Sequence, residues 1–343
     1  MSYEVTIGIP VYNAEKYIRE TMDAALAQTF PSIEFLILDD CGTDSSMDII
    51  NDYRLHHERG KDIRIIRQPN NKGIGAARNR LLDEAIGTWL YFLDADDLLP
   101  ANAIELLATA GKAKNAEVIM GSHERLDLYG GRHDHSIVRY VPDACVMRGD
   151  ELAVYTFSRY GAVGANVWNM LIRLDFVRNY RLRFLNTNYW EDMVFKMEMV
   201  TYTKCAVLLP DITYTYICRE NTLSNFQRRK QIGKDEILCN AASVATLMRN
   251  WQRLLAKKYF HDWFNTILMT EFYVACNAIR DKERIIPPLS DEELRTIVRM
   301  PLTFPQMLRY AGLRNLLFSL LGWMPPALCR TCITRMGKHR KLI

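Results

Sequence analysis

The sequence predicts an α/β fold around a mostly parallel sheet, and two observations carry that expectation. Strand-like and helix-spaced segments alternate through the first hundred residues. That rhythm implies right-handed crossovers and helices on both faces of the sheet. Polar residues also cluster where the strand-like runs end, and open sheets of this kind bind ligands beyond the carboxyl ends of their strands.

Taken in order, EVTIGIPVY reads as the first strand, and NAEKYIRETMDAALAQ follows with apolar positions at helical spacing. Asn13 is a suitable N-cap for that helix. IEFLILDD is a strand, DSSMDIINDYRLHHE a helix, IRIIRQ a strand, IGAARNRLLDEAI a helix and TWLYFLDADD a strand. Pro10, Tyr12 and Asn13 then follow the first strand, and Asp39 and Asp40 end the second. Asn70, Asn71 and Lys72 follow the third, while Asp94, Asp96 and Asp97 end the fourth. All four sets are expected on one rim. Farther on, AEVIMGSHERLDLYG and RHDHSIVRYV read as strands around a Gly-Gly turn. VWNMLIRLDFVRNYRLRF is a short strand, a helix and a connector, YWEDMVFKMEMVTYT is helical, and CAVLLPDITYTYICRE is strand-like. From about residue 226 the spacing is helical, with proline-containing breaks.

The 343 residues are 49% hydrophobic and 24% charged, ordinary for a globular protein. Charge is unevenly placed: residues 1–225 hold 24 Lys+Arg against 31 Asp+Glu, and residues 226–343 hold 20 against 9. A basic last third points to an anionic partner, a membrane surface or a nucleic acid. The start, MSYEVTIGIPVYN, shows no basic n-region, so no signal peptide is expected. No apolar run reaches roughly eighteen residues, so no membrane span is expected either. The eight cysteines then read as free thiols in a reducing cytoplasm. Cys329 and Cys332 have zinc-like spacing but no second pair, and His133 and His135 have strand spacing but no third ligand.

WLYFLDADDLLP sets three carboxylates at the end of an apolar run. Repulsion and desolvation both oppose that arrangement unless a cation sits there. Singly, this stretch reads as a strand exit, and WEDM as a helix start whose acids complement the dipole.

In their order, IPVYNAEKYIRETMDAALAQTF, FLILDDCGTDSSMDII, NNKGIGAARNRLLDEAIGTWLYFLDADDLLP and VWNMLIRLDFV…YWEDMVF resemble the inverting GT-A glycosyltransferases of family 2. The resemblance covers roughly residues 3–200. It implies a GT-A, Rossmann-like nucleotide-diphospho-sugar transferase domain over 1–225 and a helical C-terminal region over 226–343, associated with a membrane or an acceptor. By that resemblance Pro10, Tyr12, Asn13 and Glu15 surround the base, and Asp39 or Asp40 accepts from its imide, pointing to a UDP-sugar. Lys72, Gly73 and Arg78, with Gly75, approach the base and diphosphate. Asp94 and Ala95 lie near the ribose, and Asp96, or alternatively Asp97, holds Mn²⁺ or Mg²⁺, which suits hard oxygen ligands. Asp192 matches the base of an inverting displacement. Glu191 either raises that base's pKa or binds the acceptor, and Trp190, Tyr189 and Trp168 offer stacking faces. Arg219 falls near a diphosphate-approaching segment. Many relatives have lysine where this chain has Met170.

These readings combine into an enzyme: a hexosyl- or N-acetylhexosaminyl-transferase acting on a glycan or lipid-linked glycan in surface polysaccharide synthesis. The rivals are a non-catalytic binding scaffold of the same fold and a sugar nucleotidyltransferase, which is expected to show a Gly-rich G-x-G-T-R type loop where this chain has IPVYNAEKY. In the last residues, LRNLLFSLLGWMPPALCRTCITRMGKHRKLI ends in five Lys/Arg with no acid. That predicts peripheral contact with an anionic membrane at its cytoplasmic face. Nucleic acid is not expected, because aromatics do not interleave with the basic residues.

Overall fold

Apolar runs long enough to be buried on both faces form the centre of the sheet. In the computed structural model, which describes residues 3–129, 132–159, 164–219 and 230–343, every residue of β1 (Val5–Val11) is buried. The chain continues through α1 (Ile18–Leu26), the fully buried β2 (Ile33–Asp39), α2 (Ser46–His56) and β3 (Ile63–Arg67). It then forms α3 (Ile74–Glu84), the fully buried β4 (Trp89–Phe92) and α4 (Ala103–Lys114). β1 pairs in parallel with β2, Val5 opposite Ile33 and Val11 opposite Asp39, and with β4 on its other side; β3 extends the parallel set beyond β2. Continuous Val/Ile/Leu runs are the signature of strands covered on both faces. One expectation fails locally. Asn13 does not cap α1: its φ is +51°, the helix starts at Ile18, and its Oδ1 accepts from the Thr43 N–H.

Past α4 the chain forms β5 (Val118–Tyr129), β6 (Arg132–Val138), β7 (Cys145–Arg148), α5 (Glu151–Ser158), β8 (Met170–Arg173), α6 (Leu174–Asn179), α7 (Glu191–Tyr202) and β9 (Cys205–Arg219). The expected Gly-Gly turn at 130–131 lies outside the described residues. Strand order is β3-β2-β1-β4-β8-β5-β9-β7, with β6 on β5. β8 runs antiparallel to both neighbours, and the parallel set β3-β2-β1-β4 on one side of it bears the four expected rim segments. β9 returns parallel to β5, which brings Tyr214 and Ile217 alongside the end of β4. The core beneath includes Ile7, Ile9, Met22, Phe35, Ile37, Leu107 and Tyr91, all fully buried.

The chain divides into two compact units, Met1–Ala153 with Val163–Ser224, and Val154–Ala162 with Asn225–Ile343. The expected boundary at 225 lies outside the described residues. In the second unit, a short β10 (Ile232–Gly233) and β11 (Ile285–Ile286) pair in parallel beside helices α8 (Lys234–Ala245), α9 (Phe260–Arg280) and α10 (Asp291–Ile297). α11 (Phe304–Tyr310), α12 (Gly312–Leu321) and α13 (Pro326–His339) follow. Ser290 and Thr303 close capping boxes with Glu293 and Gln306, the reciprocal bonds that fix a helix start. α13 buries Cys329, Ile333 and Gly337, so its apolar face is spent on packing. Among the described residues no helix is long and apolar enough to cross a membrane, and all eight cysteines are free thiols.

Candidate functional site

The loops leaving β1 and β2 are stitched together by side chains. The Ala14 N–H donates to Ser46 Oγ at 2.8 Å and the Glu15 N–H to Asp44 Oδ2 at 2.9 Å, while Glu15 Oε2 accepts from the Ser45 N–H. Tyr12 projects from this frame with 52% of its surface exposed, an open ring. Pro10 is buried within β1. Asp39 and Asp40 are both buried beside it. Asp39 binds Arg67 at 3.1 Å and the Cys41 N–H at 2.9 Å. Asp40 accepts from the Lys72 N–H at 3.2 Å, and burial raises its pKa. The Lys72 side chain is exposed.

Gly73 stands at φ +83°, and a Cβ there would come within 2.2 Å of Asn188 Oδ1. Glycine is therefore required twice over, by conformation and by space. Asn188 Oδ1 also accepts from the Ile74 N–H, and Asn79 bonds both the N–H and C=O of Phe184. These contacts zip the start of α3 to the segment that precedes α7.

Arg78 completes the zip. Its guanidinium donates to Asp94 at 3.1 Å and to Glu191 at 2.6 Å, and only 4% of the residue is exposed. Burial works against its charge, but Asp94 and Glu191 outweigh it and raise its pKa. The expectation that Arg78 meets phosphate is thereby corrected: its two terminal nitrogens are held by carboxylates, and its Nε is buried without a hydrogen-bond partner among the described residues. Glu191 is likewise removed from acceptor contact, being 4% exposed; burial pushes it up to about 7 against the pull of Arg78.

Asp192, the next residue of α7, is half-buried and accepts from the Met193 N–H at 2.7 Å. Burial raises its pKa, with Arg78 and Lys196 drawing it back, which is the direction a proton acceptor working near neutrality needs. Trp190 is half-exposed at φ +57°, an uncommon conformation for a bulky residue that tends to persist at functional sites. Tyr189 is half-exposed as well.

The three aspartates after β4 part company. Asp96 is half-buried, with the Arg219 guanidinium donating to its carbonyl and lying 3.7 Å from its carboxylate. Burial and then Asp94 push Asp96 up to about 6, Arg219 opposing. Ala95 is buried between Asp94 and Asp96. Asp97 is 1% exposed, accepting from Tyr214 Oη at 2.7 Å and the Ile217 N–H at 2.8 Å. That corrects its candidacy as metal ligand: both oxygens serve the sheet. Among the described residues no ready-made group of three or more metal donors occurs. The arrangement still fits Mg²⁺ or Mn²⁺, which commonly take one or two carboxylates plus substrate phosphates. His135 Nε2 hydrogen-bonds with Glu124 Oε2 at 2.9 Å on the β5–β6 ribbon, and among the described residues no group of three metal donors forms there.

Trp168 offers no open stacking face. It is 8% exposed and stacked with Tyr214 at 4.4 Å and Tyr216 at 5.1 Å. Lys196 and His123 went unnoticed in sequence. Lys196 is 3% exposed and lies 5.7 Å over the Tyr140 ring; burial pulls it down to about 7. Its signal was the i,i+4 spacing from Asp192, which sets both on one helix face. His123, edge-on to Trp168, is drawn down to about 4 by burial and by Lys196 and Arg125.

Residues 6–139 match the family model described as Glycosyl transferase family 2. The putative glycosyltransferase EpsH of Bacillus subtilis is 31% identical over 251 residues, 72% of this chain and 70% of that protein. The poly(ribitol-phosphate) beta-glucosyltransferase of Bacillus spizizenii is 35% identical over 222 residues, 64% of this chain but 33% of that protein. The chain spans about half the length of several curated relatives it matches. Among solved structures, S. aureus TarS 1-349 in complex with UDP-GlcNAc superposes with a TM-score of 0.54 at 16% identity, covering 93% of this chain and 90% of that one. That likeness is one of fold.

Proposed function

The chain belongs to glycosyl transferase family 2, with the GT-A fold, and from that premise we propose that it is an inverting, metal-dependent glycosyltransferase taking a UDP-sugar. One observation carries the proposal: Arg78 joins Asp94, just past the end of β4, to Glu191, which lies 113 residues beyond the arginine in sequence. The DAD and ED stretches thereby form a single constellation. Tyr12 stacks on the base, Asp39 or Asp40 accepts from its imide, and Lys72 faces the diphosphate. Asp96 would hold a divalent ion, which would supply positive charge against the leaving diphosphate. Asp192 takes the proton from an acceptor hydroxyl as its oxygen bonds the anomeric carbon and the bond to the nucleoside diphosphate breaks, inverting that carbon. The raised pKa of Asp192 and the burial of its neighbours support this role. Trp190, half-exposed beside it, contacts the acceptor sugar. A glycan acceptor in surface polysaccharide synthesis is supported by the poly(ribitol-phosphate) relative.

The test is turnover of each common UDP-, GDP- and TDP-sugar with Mn²⁺ or Mg²⁺, with and without a membrane extract as acceptor. Asp192→Asn should lower kcat by about 10²–10⁴, the usual worth of a positioned base, while UDP binding persists. Undiminished turnover in that variant would sink the assignment.

A further inference from the structure

α12 turns two leucines outward and two polar residues inward. Its polar Asn315 and Ser319 are each 1% exposed, whereas Leu313 is 94% and Leu317 56% exposed. A helix at a water-facing surface does the opposite. The preceding α11 adds Phe304 at 42% and Leu308 at 51%, again four residues apart and so on one face. Gly312, at φ +70°, makes the turn between the two helices. Buried contacts through Met307, Phe318 and Leu321 hold them in the second unit, so the outward leucines do not arise from a detached helix.

The charge in this part of the chain has one sign. Arg309 is exposed on α11, four residues before Leu313. The Arg340 guanidinium lies 4.8 Å from the Phe318 ring, next to Leu317 in sequence, and Lys338 and Lys341 are exposed nearby in the chain. Residues 294–343 contain nine Lys/Arg and no Asp or Glu. We propose that the Leu308–Leu313–Leu317 face of α11 and α12 docks on an anionic phospholipid surface, the leucines entering the acyl boundary and the basic residues meeting the headgroups. A second copy of the chain would set the same positive rim against itself, which disfavours self-association. Leu313 and Leu317 lie in the apolar part of the stretch that the sequence pointed to, while α13, its basic end, spends its apolar side on packing. The inference is independent of the donor site and of the transferase reading.

The test is flotation of the full chain with phosphatidylcholine vesicles, with and without phosphatidylglycerol. The wild-type chain should float with the anionic vesicles, at least about tenfold better than with the neutral ones, and less so as salt rises. Leu313→Glu with Leu317→Glu should cut that binding by about tenfold or more with donor turnover unchanged. Leu313→Asn, at a site that makes little packing contact, should weaken binding with an unchanged melting curve. Equal flotation of the double variant, or a wild-type chain that stays in solution with both vesicles, overturns the proposal. So does light scattering that shows a wild-type dimer converted to monomer by the double variant, which would assign the face to a second copy.

Discussion

A guanidinium has five donors in a rigid plane, and Arg78 uses that geometry to hold two carboxylates from distant parts of the chain. Removing one partner of a buried ion pair costs about 3–5 kcal/mol, because the remaining charge stays desolvated. Arg78→Met should therefore lower the melting temperature sharply, and Arg78→Lys should restore little, since a single ammonium does not span both acids. Adding Glu191→Gln to Arg78→Met should recover part of the loss. The neighbouring aspartates separate by a different pair of measurements. Asp97→Asn leaves Tyr214 or Ile217 poorly matched, so it should cost about 1–3 kcal/mol in denaturant unfolding with the Mn²⁺ activation curve unchanged. Asp96→Asn should do the reverse, shifting metal activation while the melt stays in place. A metal-activation shift in the Asp97 variant alone would exchange their roles.

Elements were legible where periodicity decided them. β1, β2 and β4 follow from buried apolar runs, and α2, α3 and α7 from helical spacing, because these patterns are local. Site side chains were less legible where their partners come from afar. Asp97 and Trp168 look like ligand-facing residues until β9 arrives with Tyr214, Tyr216 and Ile217 to occupy them. Asn13 has the composition of an N-cap, but a bond to the Thr43 N–H holds it in a left-handed turn. The α3 start shows how tightly such elements are fitted. A Cβ at Gly75 would lie 2.0 Å from the Leu185 carbonyl oxygen and 2.8 Å from that of Thr187. Gly75→Ala must push α3 and this segment apart, at about 1–3 kcal/mol, and should weaken UDP binding measured by calorimetry. Gly149→Ala, at φ +61° with nothing within 4 Å, should cost only the backbone strain, about 1–2 kcal/mol, and leave UDP binding alone.

Over the whole molecule, buried charges of opposite kind pull stability in opposite directions with pH. An unfolded lysine keeps its proton to about pH 10, while folded Lys196, beside Asp192 and near His123, releases it near about 7. Between those values the unfolded chain binds more protons, so this term makes stability rise with pH. Glu271 behaves inversely. It is 1% exposed, and burial raises its pKa well above normal with no charged group to offset it. Its contribution is full below about pH 4 and is lost as pH climbs through the raised value. Urea unfolding across a pH series should show the Lys196→Met advantage shrinking as pH rises from about 7 to about 10. The Glu271→Gln advantage should grow as pH rises above about 4. Parallel curves for wild type and either variant would show that the group does not titrate as its surroundings dictate.

The Arg78 bridge also bears on exchange of segments between homologous chains. A crossover anywhere between residues 98 and 190 would draw the arginine and Asp94 from one parent and Glu191 from the other. Such a chimera inherits a working clamp only if the second parent supplies a carboxylate at that spot and at the right reach. The two stretches are one module of inheritance, although over a hundred residues of chain run between the arginine and its second acid.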